Sequence, residues 1–233
     1  MGLLVPARRR DHEILDDSSI DAATRLRSLA DVARSNRLFG GRRAAISAIE
    51  TSIDPNTGSL SLLDVGTGLG DIPSEISRRS ARRGIQITTI GLDESADLLW
   101  EARRGLTHAV CGTVRALPFR DDSIDIVLCS QLLHHFADDD VAAVIAELDR
   151  VARIRVIIAD LRRSWIAAAG FWLASFPLRF HRITRHDGVV SVLRGFTADE
   201  LRRSVIAVLG QEPSIERRLG FRLTVSWSPR HAA

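Results

Sequence analysis

Between residues 60 and 160 the chain alternates short aliphatic or β-branched runs with longer stretches whose apolar residues recur at helical spacing. Leu62, Leu63 and Val65 enclose one acid, glycines follow at 66, 68 and 70, and 74–83 is amphipathic. That pattern predicts a buried strand, a tight turn and a helix. The β-branched run 85–92 predicts a second strand, and 95–104 the next helix. A short third strand is expected near 109–111, a fourth at 124–129, a helix over 138–151 and a fifth strand at 155–160. Strands and helices alternating in this way predict an α/β fold with a parallel sheet and helices on both faces.

The ends of the chain differ. Over 12–38 the residues Ile14, Leu15, Ile20, Ala23, Leu26, Leu29, Val32 and Leu38 keep helical spacing. The stretch 36–41 breaks the pattern, and a helix resumes through Ile49, so 1–52 reads as a helical N-terminal cap behind an unstructured 1–10. After the fifth strand, 165–178 is an apolar run in an insertion spanning 161–196. Thr197 and Glu200 form a capping box that opens a helix to Leu209. Two strand-like runs, 214–219 and 221–227, close a chain read as a single domain over 1–233.

Composition narrows the function classes. The 32 basic residues are all arginine, set as short pairs, and net charge is only +3. These pairs read as solvated helix faces and not as a nucleic-acid surface. Cys111 and Cys129 form neither a disulfide framework nor a zinc signature, so no metal is expected. No secretory signal opens the chain, and a reducing cytoplasm is the expected compartment. The 165–178 run is too short to span a bilayer, which takes about 20 residues.

The glycine turn is the first candidate for chemistry. Glycines permit positive φ and let a ligand approach the backbone closely. The spacing is G-x-G-x-G, not the G-x-G-x-x-G of dinucleotide sites. Asp64 directly precedes the turn, where its carboxylate repels phosphate and attracts an ammonium group; the alternative is a tight turn with no ligand. Asp93 ends the second strand about 20 residues further on, where a carboxylate suits two ribose hydroxyls. It equally suits a cap for the following helix.

Four stretches in order, 63–70 (LDVGTGLG), 91–94 (GLDE), 116–125 (ALPFRDDSID) and 132–136 (LLHHF), resemble the class I S-adenosylmethionine-dependent methyltransferases. The likeness is to the group with quinone-biosynthesis C-methyltransferases and small-molecule O-methyltransferases, and it covers about residues 60–160. It implies a Rossmann-like, mostly parallel seven-stranded sheet whose last strand is antiparallel, and S-adenosylmethionine as cofactor. By the same resemblance Asp64, Gly66, Thr67, Gly68 and Gly70 hold the methionine moiety, with the ammonium near Asp64. Asp93 accepts the ribose hydroxyls with Glu94 beside it, Thr113 and Val114 border the adenine, and Ser130 offers backbone at the methionine end. Many relatives carry an acid where Thr113 stands, and a hydroxyl accepts more weakly.

Methyl transfer is an in-line displacement, so positioning carries most of it, and a base is needed only for a protonated acceptor. With no lysine or tyrosine in the chain, the candidate bases are histidines. His135, His186 and His134 are taken in that order, with His181 in the same insertion as His186; Cys129 reads as core. The 165–178 run with Phe180 points to a small, largely apolar acceptor (phenolic, quinone-like or polyketide-like, as in secondary metabolism) under a lid. The same run equally packs a helix on the domain, or touches a membrane surface through Arg162, Arg163, Arg179 and Arg182. A macromolecule-directed methyltransferase, or a non-catalytic protein that binds the cofactor, is the competing class.

Overall fold

A computed structural model describes residues 5–17 and 19–230. The central sheet has seven strands: β1 (Ser59–Val65), β2 (Gln86–Asp93), β3 (His108–Cys111), β4 (Ile124–Ser130), β5 (Ala152–Leu161), β6 (Ser214–Arg218) and β7 (Arg222–Trp227). Their order is β3-β2-β1-β4-β5-β7-β6. β1 pairs in parallel with β2 and β4, β2 with β3, and β4 with β5, whereas β7 runs antiparallel to both β5 and β6. Strand order reverses between β1 and β4, and there the carboxyl ends of an open α/β sheet leave a crevice.

Alternation along each strand divides the core. Leu60 and Leu62 face one side, with Ile126, Leu128, Ile157 and Ala159, under α2 (Gly41–Ser52) and α3 (Asp71–Ala81). Leu63 and Val65 face the other, with Val127, Cys129, Val156 and Ile158, under α5 (Asp138–Val151) and α8 (Ala198–Leu209). A helix α4 (Ala96–Ala102) links β2 to β3. Cys129 is fully buried and burial raises its thiol pKa, which leaves it a core residue.

Several boundaries move. The fifth strand runs 152–161, longer than its apolar stretch, because Ile124 pairs with Ala152 across an irregular register. The N-terminal pattern is not one helix: a single 3₁₀ turn (Ile14–Asp16) precedes α1 (Ala22–Leu38). Asp187 holds that turn by accepting from the Ile14 and Leu15 amides at 2.8 and 2.9 Å, and Asp21 caps α1 through Thr24 N at 2.9 Å. Residues 1–4 of the stretch expected to be unstructured lie outside the described residues. Residues 5–10 take no helix or strand yet are pinned, Arg9 N donating to Leu193 O and Arg8 Nε to Arg194 O.

The insertion after β5 forms two helices, α6 (Trp165–Ser175) and α7 (Arg182–Arg194), packed on each other. Gly188 makes that packing possible, since a Cβ there would stand 2.1 Å from the Phe171 ring. Phe171 contacts Phe39 and Phe180, while Trp165, Ile166, Trp172, Leu173 and Phe176 are exposed. Among the described residues no helix is long and apolar enough to cross a membrane.

Arg163, fully buried, joins the insertion to both ends of the domain. It donates to Pro6 O at 2.8 Å, Gly195 O at 2.6 Å and Glu200 Oε1 at 2.7 Å. Glu200 also closes the capping box with Thr197. Removing a buried partner leaves the others unpaired, so Arg163→Ala is expected to cost about 3–5 kcal/mol in urea unfolding. A loss under 1 kcal/mol would show that water replaces the guanidinium without penalty.

Candidate active site

The β1–α3 turn is built for close approach. Gly66, Gly68 and Gly70 take φ of 69°, 54° and 68°, values an L side chain adopts only under strain. The Gly66 and Thr67 amides donate to Leu92 O, tying the turn to the end of β2. Asp93 Oδ2 accepts from Gly68 N at 2.9 Å and Oδ1 from Ser95 N at 3.0 Å. The cap of α4 is Ser95, not Asp93. Asp93 therefore locks the glycine turn to β2, and the outer lone pairs of both oxygens remain for a ligand.

Asp64 is buried on the last turn of β1. Its Oδ2 accepts from Thr67 Oγ1 at 2.8 Å, and its Oδ1 has no partner among the described residues. Burial lifts its pKa to about 7, helped by Asp71 and Asp93 nearby and opposed by the Thr67 hydrogen bond. Asp71, in the first turn of α3, is also raised by burial despite Arg42. Ser130 at the end of β4 likewise has a buried hydroxyl without a partner. A buried carboxylate with an open oxygen fits a cationic ligand group that supplies the missing donor.

Three cavities meet here. The first, about 410 Å³, runs along Asp64, Gly66, Thr67, Gly68, Asp93 and Ser130 and is roofed by Arg25, Leu29, Val32 and Asn36 of α1. The second, about 560 Å³, extends from Gly66, Asp93 and Glu94 to Thr113, Val114 and Phe136. The third, about 100 Å³, shares Glu13, Leu15, Val32, Gln131 and His135 with the first and continues to Phe171, Leu161 and Val192. His135 borders all three.

The histidines separate by position. His134 is buried; its Nδ1 lies 2.7 Å from Asp160 Oδ1, and its backbone N–H donates to Asp160 Oδ2 at 3.1 Å. Burial raises the Asp160 pKa, but His134 outweighs it and the net shift is downward. His135 Nε2 is 3.9 Å and His134 Nε2 3.8 Å from Glu13 Oε1. His186 sits half exposed on α7, paired with Asp187 at 2.8 Å, and lines none of the three cavities. Glu13, Arg25, Gln131 and Asp160 enter the site without any signal in the spacing of the sequence.

Residues 63–159 match the profile of a family described as a methyltransferase domain. The match covers the glycine turn and the strand ends that line the first two cavities. A search of curated protein sequences gives no match. The fold is shared with magnesium protoporphyrin IX methyltransferase from Synechocystis PCC 6803 with bound S-adenosylmethionine. That pair is 15% identical with a TM-score of 0.57, covering 91% of this chain and 99% of the other. A SAM-dependent methyltransferase from Aquifex aeolicus (15% identity, TM-score 0.59, 90% and 99% covered) has the same fold. So does the plantazolicin methyltransferase BamL in complex with a triazolic desmethylPZN analog and SAH (15%, 0.59, 84% and 72%).

The matched family is one of methyltransferases, and the first two cavities offer polar groups that suit S-adenosylmethionine, the ligand bound in the Synechocystis structure. An ammonium placed at Asp64 would meet a counter-charge, and hydroxyls placed at Asp93 would meet its carboxylate oxygens. Asp64 gives a pH signature. Without ligand it is half protonated near pH 7, and pairing with an ammonium requires the carboxylate. Cofactor affinity is expected to fall about tenfold per pH unit below 7, and Asp64→Asn to abolish that acid limb. For the same reason the stability this group lends the free protein is full below about pH 4, near the ordinary aspartate pKa, and is lost on rising through 7. Calorimetry across pH 5–8 checks both; a flat affinity profile in the parent protein would place the ammonium elsewhere.

Proposed function

We propose that the protein transfers the methyl group of S-adenosylmethionine to an oxygen or carbon of a small, largely apolar acceptor bound in the third cavity. The observation that supports this is continuity. The cavity that holds Asp64 and Ser130 opens past His135 into one lined by Leu15, Val32, Leu161, Phe171 and Val192. In this reading Asp64 and the glycine turn fix the methionine end, Arg25 faces its carboxylate, and Asp93 with Glu94 holds the ribose. Thr113 and Val114 border the adenine. The methyl then points toward the junction at His135.

There the reaction is an approach geometry: the acceptor atom lies opposite the departing sulfur, and apolar walls exclude water. A phenol acceptor has an ordinary pKa near 10. His135 and Glu13 are the groups beside it that can take its proton, while His134, engaged with Asp160, orients the pair. The exposed outer face of α6, with Arg179 and Arg182 near its end, suits contact with a membrane surface that stores apolar acceptors.

Incubation with methyl-labelled cofactor and a panel of phenols, quinones and polyketide-like aromatics tests the reading. Labelled organic product is expected; label entering only protein or RNA would overturn it. The two aromatics of α6 then divide. Phe171→Ala is expected to raise the acceptor KM several-fold with cofactor affinity little changed, and Trp172→Ala to alter neither. Equal loss of cofactor and acceptor affinity in Phe171→Ala would make that ring ordinary core.

A further inference from the structure

We propose that Glu13, His134 and His135 form a binding site for one divalent first-row transition ion, of the zinc class, where the acceptor cavity meets the first cavity. One ligand atom from each lies within 4.8 Å of the other two. The separations from Glu13 Oε1 to the two Nε2 atoms are 3.8 and 3.9 Å. Closing by a few tenths of an ångström brings all three to the ~2.0–2.2 Å of zinc–imidazole and zinc–carboxylate bonds. Two imidazoles and one carboxylate with open positions are a donor set that zinc, iron and their neighbours occupy.

The surroundings are those of a ligand set, not of three side chains that happen to meet. Asp160 takes the Nδ1 side of His134, which fixes the tautomer and leaves Nε2 as the donor atom toward Glu13. A carboxylate behind a ligating imidazole is the usual outer support of a metal histidine. Glu13 is itself buried and positioned: Ser191 Oγ donates to Oε1 at 2.7 Å, and Asp187 pins the next two backbone amides. The charged groups facing the site are Asp160, Asp187 and Arg194. Arg194 opposes a cation, its Nη1 lying 3.8 Å from Glu13 Oε1, but its Nε and Nη2 are directed to the His134 and His135 carbonyls at 3.2 and 2.7 Å. The site's charge of one carboxylate, with Asp160 behind it, still favours a dication over none.

The catalytic use of such an ion rests on the methyl-transfer reading; its binding does not. An acceptor hydroxyl coordinated at an open position loses its proton to solvent, as metal-bound water does. The oxygen lone pair then forms the C–O bond while the C–S⁺ bond breaks and sulfur keeps the electron pair. With the ion bound His135 and Glu13 serve as its ligands, and the proton that they would take in its absence leaves to solvent.

The test is a titration of the metal-free, untagged full chain with Zn²⁺ and Co²⁺ against a chromogenic chelator, in a Cys111→Ser background because that thiol is exposed. One ion per chain is expected, with Glu13→Gln and His135→Gln each weakening binding at least tenfold and the surface variant His108→Gln unchanged. No saturable binding, or equal binding in all variants, would overturn the site. SAH binding measured on the same samples separates the two readings. Retained SAH affinity with no metal rejects the ion alone; lost SAH affinity in the parent chain rejects the cofactor site.

Discussion

The arrangement of the site depends on one buried carboxylate, Asp160, at the end of β5. It accepts from the His134 amide, the His134 imidazole and the Leu161 amide, all buried. A charge so far from water persists only with several donors around it. Those donors determine how the chain leaves β4: the 3₁₀ turn Leu133–His135 is drawn back against the sheet, and His135 is carried to the point where the cavities join. Arg222 of β7 lies close enough to Asp160 to feel its charge, and burial brings the guanidinium pKa down to about 10. The antiparallel strand at the end of the chain thus stabilises the same carboxylate that orients the mouth.

Asp64 and Asp93 show how two acids on adjacent strand ends acquire different surroundings. Asp93 is partly exposed and accepts from two backbone amides. Asp64 is enclosed and receives one hydroxyl, and burial prevails. Asp64 is therefore the acid whose charge a cationic partner would favour, and Asp93 ties the glycine turn to β2. A single feature, the positive φ of Gly66, Gly68 and Gly70, allows both, because it folds the turn back until its amides reach β2.

Legibility in the sequence follows the range of the interaction. The strand–turn–helix of 59–81, the acid closing β2, the helix 138–151 and the Thr197–Glu200 capping box are local patterns and stand where periodicity puts them. The order of strands and the antiparallel β7 came through resemblance, since no local pattern encodes them. What stayed hidden is contact over long separations. Glu13 reaches His134 across more than a hundred residues, and α7 carries no apolar periodicity because it is packed on several sides at once. His186 drew attention as a histidine in the insertion, yet α7 turns it outward and hands the interior to its neighbour Asp187, which is buried.

The floor and the roof of the site are held by contacts of different grades. The floor is sheet, closed by parallel ladders and by fully buried aliphatics of β1, β4 and β5. The roof is α1, and its ties to the insertion are few: the His181 amide to Asp31 at 2.7 Å, Arg34 to Leu178 O at 3.0 Å, and a long Thr184–Ser28 contact at 3.5 Å. Ties of that sort contribute about 0.5–1.5 kcal/mol each where buried and less where exposed. Arg163, by contrast, anchors Pro6 from inside the domain, so the start of the described chain stays fixed while α1 is loosely held. The contacts that fix His135 and those that hold the roof therefore reside in separate parts of the same chain.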